Sequence, residues 1–165
     1  MAYNPPIAYL LTWSGYGTRL HGDERGTVSD GHNTYGEPFR PPDLTLENCR
    51  RELLSEPPFE IDPKQRGCAL KAIHDAVDWR NWQLFALNIR TNHVHIVVGA
   101  ADQPAKMMGV LKARCSRALR EEGLIGSRVH VWADGGSKKW LFTPRHVDDA
   151  CDYVKYRQGP DLPIA

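Results

Sequence analysis

The chain has 165 residues, of which 41% are apolar and 25% are charged, and its formal net charge at pH 7 is +1. This length suits one well-buried domain and is too short for two, so we expect residues 1–165 to form a single domain. The longest apolar run, residues 7–13, is far too short to cross a bilayer, and residues 1–6 lack the basic-then-apolar order of a signal peptide. We therefore expect a cytoplasmic protein with no membrane partner.

Charge is distributed unevenly along the chain. Residues 21–62 include ten acidic and four basic residues, a net charge of −6, whereas residues 103–145 include nine basic and three acidic residues, a net charge of +6. A phosphate backbone favours such a concentration of cations, although a solvated helix face is the simpler explanation for any single Lys or Arg. The second half of the chain is therefore the candidate nucleic-acid-binding half.

The first third of the chain predicts one strand and a long insertion. Residues 7–13 carry apolar side chains on both faces, as in a strand at the centre of a sheet. From about residue 15 to residue 60 the chain is rich in glycine, proline and charged residues without a sustained period, which predicts a long loop or insertion. Within it, residues 45–54 predict a short helix capped by Thr45, whose buried residues are Leu46, Leu53 and Leu54.

Two helices and a hairpin are predicted next. Residues 62–79 begin with Asp-Pro, a typical helix start, and continue with an apolar stripe. Residues 82–89 and 93–98 predict two strands joined by a short polar turn, as in an antiparallel hairpin. Residues 102–122 predict the second long helix, which Pro104 opens and a glycine ends.

The C-terminal part completes the pattern of an α+β fold. Residues 128–132 alternate like a strand, and residues 138–142 predict its partner across a glycine turn. Residues 143–157 predict a last helix, which Thr143 caps. This order of elements predicts a split βαβ arrangement, ferredoxin-like or RRM-like, in which an antiparallel sheet carries helices on one face and is followed by a C-terminal helix.

Two histidines, His93 and His95, stand in the second strand of the predicted hairpin. In a strand, alternate side chains point to the same face, so the two imidazoles would lie side by side with their Cα atoms roughly 6.6 Å apart. On a helix the same residues would diverge by about 200°. The strand therefore makes them a candidate metal-binding pair, while a solvent-exposed or hydrogen-bonded structural role remains the alternative.

Several stretches of the sequence together match the pattern of one family. Residues 91–97 read Thr-Asn-His-Val-His-Ile-Val, a basic helix follows them, and residues 152–159 read Asp-Tyr-Val-Lys-Tyr-Arg-Gln-Gly. With these features the chain resembles the single-tyrosine HUH transposases, the IS200-like superfamily, and more closely their REP-associated relatives. Residues 12–26 also look like the opening of the REP-associated group, and the similarity spans nearly the whole chain.

The resemblance implies a metal-dependent enzyme that cuts single-stranded DNA beside hairpins. It would hold the 5′ end as a phosphotyrosine on its C-terminal helix and then rejoin it. His93 and His95 would bind the divalent cation, Mg²⁺ or Mn²⁺, because a phenol with a pKa of about 10 is a poor nucleophile at neutral pH without such help. The resemblance also implies a homodimer and a prokaryotic protein that is associated with the nucleoid when it binds DNA.

Two tyrosines are candidates for the nucleophile. At 100° per residue, the buried stripe of the last helix leaves Tyr153 on its flank and Tyr156 nearly opposite, so Tyr153 is preferred and Tyr156 is the alternative. Without the resemblance, Tyr153 would simply seal the helix against the sheet. In the insertion-sequence members of the family, the third metal ligand is a glutamine four residues after the tyrosine. Here Gln158 follows Tyr153 by five residues, about 140° around an ideal helix, which leaves Asp149 as a fallback.

Alternatives to the transposase are a non-catalytic module that binds single-stranded nucleic acid, a phosphoesterase with water as its nucleophile, and a domesticated or inactive relative.

Basic residues are the candidate DNA contacts. The candidate contacts are Lys112, Arg114, Arg117 and Arg120 on the second long helix, followed by Lys138 and Lys139.

Overall fold

A computed structural model describes residues 4–18 and 44–165 of the chain. Most of the predicted insertion, residues 19–43, lies outside the described residues. In chain order the elements are β1 (Ala8–Ser14), α1 (Leu44–Glu52), α2 (Pro63–Arg80), β2 (Gln83–Ile89), β3 (His93–Gly99), α3 (Pro104–Glu121), β4 (Ser137–Leu141) and α4 (Pro144–Tyr156).

The four strands form one antiparallel sheet in the order β2-β3-β1-β4. Strands β1 and β3 are therefore central, and the central position predicted for residues 7–13 is confirmed. His95 lies in the middle of the sheet, opposite Thr12 of β1 on one side and Asn88 of β2 on the other. The predicted α+β class with an antiparallel sheet is confirmed.

Alternation along the strands divides the core between the two faces of the sheet. Helices α2 and α3 cover one face, where Leu11, Trp13 and Ile96 are almost completely buried. Helix α4 covers the other face, against a smaller apolar cluster that contains Leu10 and Val97. Helix α4, which the resemblance predicts to carry the nucleophile, thus lies on the face of the sheet opposite the two long helices.

Local sequence determines where the helices begin. Asp62 caps α2 in a reciprocal capping box, since its carboxylate accepts from the Gln65 backbone N–H and the Gln65 amide oxygen accepts from the Asp62 N–H, both at 2.8 Å. Thr143 caps α4 by accepting from the His146 N–H at 3.1 Å. The predicted starts of both helices are confirmed.

The predicted strand at residues 128–132 is wrong. In this stretch the only pairing among the described residues is an isolated bridge between Gly15 and Trp132, and β4 pairs with β1 instead. The Glu56 side chain binds this stretch instead: its carboxylate accepts from the backbone N–H of Val129 at 2.9 Å and of His130 at 2.6 Å. These two hydrogen bonds also lower the pKa of Glu56.

The predicted details of the short helix α1 are also wrong. The helix begins at Leu44, so Thr45 lies inside it and is not its cap. Leu53 is 75% exposed and Leu54 is half-buried, because the helix ends at Glu52 and the chain then turns away. The side chain of Leu46 is outside the described part of the structure. Within residues 4–18 and 44–165, no helix is both long and apolar enough to cross a membrane.

Candidate functional site

His93 and His95 lie side by side on the face of the sheet that α4 covers. They share this face with Val97, which packs in the α4 cluster, because alternate residues of β3 point the same way. Their ring centroids are 4.5 Å apart with an angle of 76° between the planes. His95 is only 4% exposed and His93 is half-buried. The strand geometry predicted for this pair is confirmed.

Gln158 is the third side chain of this cluster. Its amide oxygen Oε1 lies 3.0 Å from Nε2 of His95 and 3.4 Å from Nε2 of His93. Asp149, the fallback ligand, is exposed on α4. The structure therefore brings Gln158 to the histidines despite its unfavourable spacing from Tyr153.

The end of α4 explains how Gln158 reaches the histidines. The helix ends at Tyr156, and Arg157 has φ −112° and ψ 20°, so the next residue does not follow the helical rotation of 100°. The amide nitrogen of Gln158 donates to the backbone carbonyl of Tyr153 at 3.1 Å. This bond turns the side chain back along the helix end and aims its oxygen at the sheet.

Both histidines are held through their other ring nitrogens. Nδ1 of His93 lies 2.6 Å from Oδ1 of Asn92, and Nδ1 of His95 lies 2.7 Å from the hydroxyl of Thr12. The assigned Asn92 oxygen can only accept, so Nδ1 of His93 carries the proton and a neutral His93 presents the lone pair of Nε2 toward Gln158. The Gln158 oxygen can only accept, so Nε2 of His95 donates to it and the Thr12 hydroxyl donates to Nδ1 of His95. Because that hydroxyl can also accept, Thr12 can hold the His95 ring with the proton on either nitrogen and does not select one tautomer.

Of the two candidate tyrosines, the structure brings Tyr153 to the cluster. Its ring meets that of His95 edge to face, with 5.4 Å between the centroids. Tyr156 is 76% exposed on another side of α4. Tyr153 is half-buried and packs beside the apolar cluster under α4, so the sealing role considered from the sequence is compatible with its position.

Asn88 and Thr12 belong to this site but were not identified from the sequence. The Asn88 side chain donates to the backbone carbonyl of Val154 at 2.9 Å and so ties α4 to the sheet beside His95. Both residues are polar side chains in otherwise apolar strands, and that contrast is the sequence feature that marks them. Their proximity to His95 depends on strand register, which a single sequence does not specify.

The donor atoms of the cluster suit a divalent cation. Two imidazole nitrogens and one amide oxygen converge, and the separations of 3.0 and 3.4 Å from the oxygen to the nitrogens are close to the distance of about 3 Å between adjacent ligands of an octahedral ion. Among the described residues, no group of three or more His, Cys, Asp or Glu side chains is arranged to hold a metal ion. The candidate metal centre therefore depends on the Gln158 amide as its third ligand.

The predicted DNA contacts on α3 lie across the sheet from the histidines, and several are engaged within the protein. The Lys112 ammonium donates to the carbonyls of Ala133 at 2.8 Å and Gly135 at 2.5 Å, and burial lowers its pKa to about 8. The others make a range of contacts: Arg117 pairs with Glu121, Arg120 donates to the Val129 carbonyl, Arg114 stacks on Trp79, Lys138 donates to the Gly136 carbonyl, and Lys139 is buried.

Comparison with known proteins identifies a family and solved structures of similar fold. A model of the family "Transposase IS200 like" matches residues 50–154, and no curated protein matches the chain. The structure of a REP-associated tyrosine transposase bound to a REP hairpin superposes with a TM-score of 0.51 at 10% identity, over 93% of this chain and 68% of that one. A Deinococcus radiodurans R1 protein has a TM-score of 0.46 at 11% identity, over 97% of both chains.

Proposed function

The chain belongs to the family of IS200-like transposases, and we propose that it cuts and rejoins single-stranded DNA beside hairpins through a covalent bond to Tyr153. The observation that carries this proposal is the contact of Tyr153 with the cluster of His93, His95 and Gln158. Family membership supports a transposase function in general. The nucleophile, the metal and the DNA substrate are the proposed details.

The proposed reaction exchanges one phosphate ester for another. The phenolic oxygen of Tyr153 attacks the scissile phosphorus, the bond from phosphorus to the 3′ oxygen breaks, and the phenolic proton ends on the released 3′ hydroxyl. The 5′ phosphate of the DNA stays on the tyrosine. Attack by a 3′ hydroxyl on this ester reverses each change, so the same residues serve for cutting and joining.

In the proposed site, His93, His95 and Gln158 hold Mg²⁺ or Mn²⁺. A divalent cation bound there supplies positive charge to the phosphate oxygens as negative charge develops on them. Imidazole nitrogens suit Mn²⁺ better than Mg²⁺, which prefers oxygen ligands. Asn92 keeps the metal-binding lone pair of His93 available, and Thr12 fixes the orientation of the His95 ring.

The proposed DNA partner carries a hairpin, as does the DNA in the structurally similar REP-associated transposase. All four residues of the proposed site come from one chain, so the reaction as proposed needs no residue from a second copy. The homodimer that the resemblance implies remains a prediction.

The proposal is tested with a hairpin oligonucleotide that has a single-stranded flank. The label lies 3′ to the cleavage site, on the segment whose 5′ phosphate stays joined to the tyrosine. With Mn²⁺, the wild-type protein should form an adduct that survives denaturing electrophoresis. Tyr153→Phe should form none, since it lacks the attacking oxygen, whereas the matched Tyr156→Phe should react like the wild type. Loss of the adduct in Tyr156→Phe but not in Tyr153→Phe would assign the other tyrosine.

The same assay separates the alternatives. Cleavage with turnover but without an adduct would indicate a phosphoesterase that uses water. Hairpin binding without cleavage, unchanged in a His93→Ala, His95→Ala double variant, would indicate a non-catalytic binding module or an inactive relative. Either result would contradict the proposed function.

A further inference from the structure

A large aromatic ring is exposed at the end of α2, on the side of the sheet opposite the histidine cluster. Trp79 is 62% exposed. The guanidinium carbons of Arg80 and Arg114 each lie 4.6 Å from the centre of its ring. Arg114 comes from α3, so the cluster joins the two helices that cover this face.

The stacking prepares the two guanidinium groups for a ligand. A cation over an exposed tryptophan gains about 0.5–1 kcal/mol, and the contact restricts an otherwise mobile side chain before any ligand arrives. The two groups are at most about 9 Å apart, since both are centred on one ring. A short segment of an anionic chain can therefore contact both.

Neither guanidinium forms a salt bridge with a carboxylate in the part of the chain that the structure describes, although Arg80 lies close enough to Asp102 to contribute, after the Trp82 indole, to the lowered pKa of that carboxyl. Neighbouring cations differ in this respect: Arg117 pairs with Glu121 at 2.8 Å, and Lys106 lies 3.5 Å from Asp102. The Asp102 carboxylate also accepts from the indole of Trp82 at 2.9 Å. Arg80 and Arg114 are thus positive charges beside an exposed ring, and among the described residues neither forms a salt bridge.

We infer that Trp79, Arg80 and Arg114 form an anchoring site for single-stranded DNA, separate from the site of cleavage. The planar guanidinium fork matches phosphate oxygens, and a layer of tryptophan and arginine offers a surface on which an unpaired base stacks. The excess of basic residues in the second half of the chain attracts the same partner. This inference rests on DNA being the substrate, as proposed above, and adds where a non-scissile segment binds.

The position of the cluster determines which step it affects. Because it lies across the sheet from Tyr153, it contacts no reacting atom and acts only on affinity. Loss of the ring should therefore weaken DNA binding and leave adduct formation at saturating DNA unchanged. This separation distinguishes an anchor from a residue that helps to shape the cleavage site.

The test is fluorescence anisotropy with a labelled hairpin oligonucleotide that has a single-stranded flank, measured in EDTA so that cleavage does not occur. Trp79→Ala should weaken binding about tenfold, the usual effect of losing one stacked base. Arg114→Ala should also make the negative slope of log affinity against log salt concentration shallower by about 0.7, the value for one phosphate contact on a single strand. Lys71→Ala is the matched control: it removes one positive charge from α2 and should leave the salt slope unchanged.

Specificity for DNA bases is tested by competition. An abasic sugar-phosphate oligomer should displace the labelled DNA from the wild type about tenfold less well than a normal strand, and equally well from Trp79→Ala. Equal competition against the wild type, or displacement by polyglutamate as effective as that by DNA, would overturn the stacking site.

Failure of this inference and failure of the proposed function give different results. If Trp79→Ala and Arg114→Ala bind like the wild type while the wild type still forms its adduct, the anchor is refuted and the function stands. If both variants bind weakly while the wild type forms no adduct, the anchor stands and the proposed chemistry fails.

Discussion

Asn92→Ala tests whether the histidine pair is built to bind a metal. The substitution removes the oxygen that accepts from Nδ1 of His93 at 2.6 Å and leaves both histidines and Gln158 in place. Without this acceptor, the proton of a neutral His93 can move to Nε2, where it occupies the lone pair that a metal needs. The perturbation therefore changes which tautomer is favoured and removes no proposed ligand.

The expected loss of Mn²⁺ affinity follows from the free energy of the hydrogen bond that is removed. A net contribution of about 1 kcal/mol, for a bond between neutral groups, corresponds to roughly a fivefold loss of affinity. Partners of metal-binding histidines commonly contribute more, about 10- to 100-fold, because they also hold the ring in place. We expect the affinity for Mn²⁺ to fall about tenfold in Asn92→Ala.

The assay is a titration of the protein with Mn²⁺ in which electron paramagnetic resonance measures the concentration of the free ion. Asn48→Ala is the matched control, because Asn48 is exposed on α1 and remote in sequence from the cluster. Thr12→Val should also weaken Mn²⁺ binding, because the His95 ring loses the hydroxyl that holds its orientation. Unchanged affinity in both Asn92→Ala and Thr12→Val would refute the assignment of the cluster as a metal centre.

Three further predictions concern stability, each measured by urea unfolding. Burial lowers the pKa of Lys112 from 10.5 to about 8, so between these pH values the unfolded state binds more protons than the folded state. The free energy of unfolding should therefore increase with pH in this range, and Lys112→Met should remove that increase. The folded state holds the pKa of Glu56 below its ordinary value of 4.5, so protonation of Glu56 favours the unfolded state. As the pH falls below 4.5, the Glu56→Gln variant should therefore lose less stability than the wild type. Arg66→Ala should lower the unfolding free energy by about 3 kcal/mol, since the buried guanidinium donates to the carbonyls of Pro163 and Ile61; a loss below about 0.5 kcal/mol would contradict this role.

The sequence predicted those parts of the fold that local chemistry decides. The Asp62 cap and the alternation of β3 both act over a few residues, so the start of α2 and the common face of His93 and His95 followed from spacing alone. Residues 128–132 have equally good strand alternation, yet they form no strand, and the backbone N–H groups of Val129 and His130 donate to the distant Glu56. Pairing between segments far apart in sequence is a tertiary outcome that periodicity does not encode.

The proposed site shows the same limit on a smaller scale. Ideal helix geometry argued against Gln158, because five residues place it about 140° from Tyr153. Such an angle holds only for a helix that continues through Gln158, whereas α4 ends at Tyr156. The family resemblance pointed to Gln158, and the structure shows that the distorted helix end brings its amide to the histidines.

Gln158 also links the two halves of the proposed site. Its amide nitrogen donates to the Tyr153 carbonyl while its oxygen faces both histidines, so one side chain connects the backbone of the proposed nucleophile to the proposed metal centre. The chain beyond Gln158 is held in turn, since Arg66 of α2 donates twice to the carbonyl of Pro163. The segment after α4 is thereby tied to α2, and a metal bound by Gln158 would also restrain the helix that carries Tyr153.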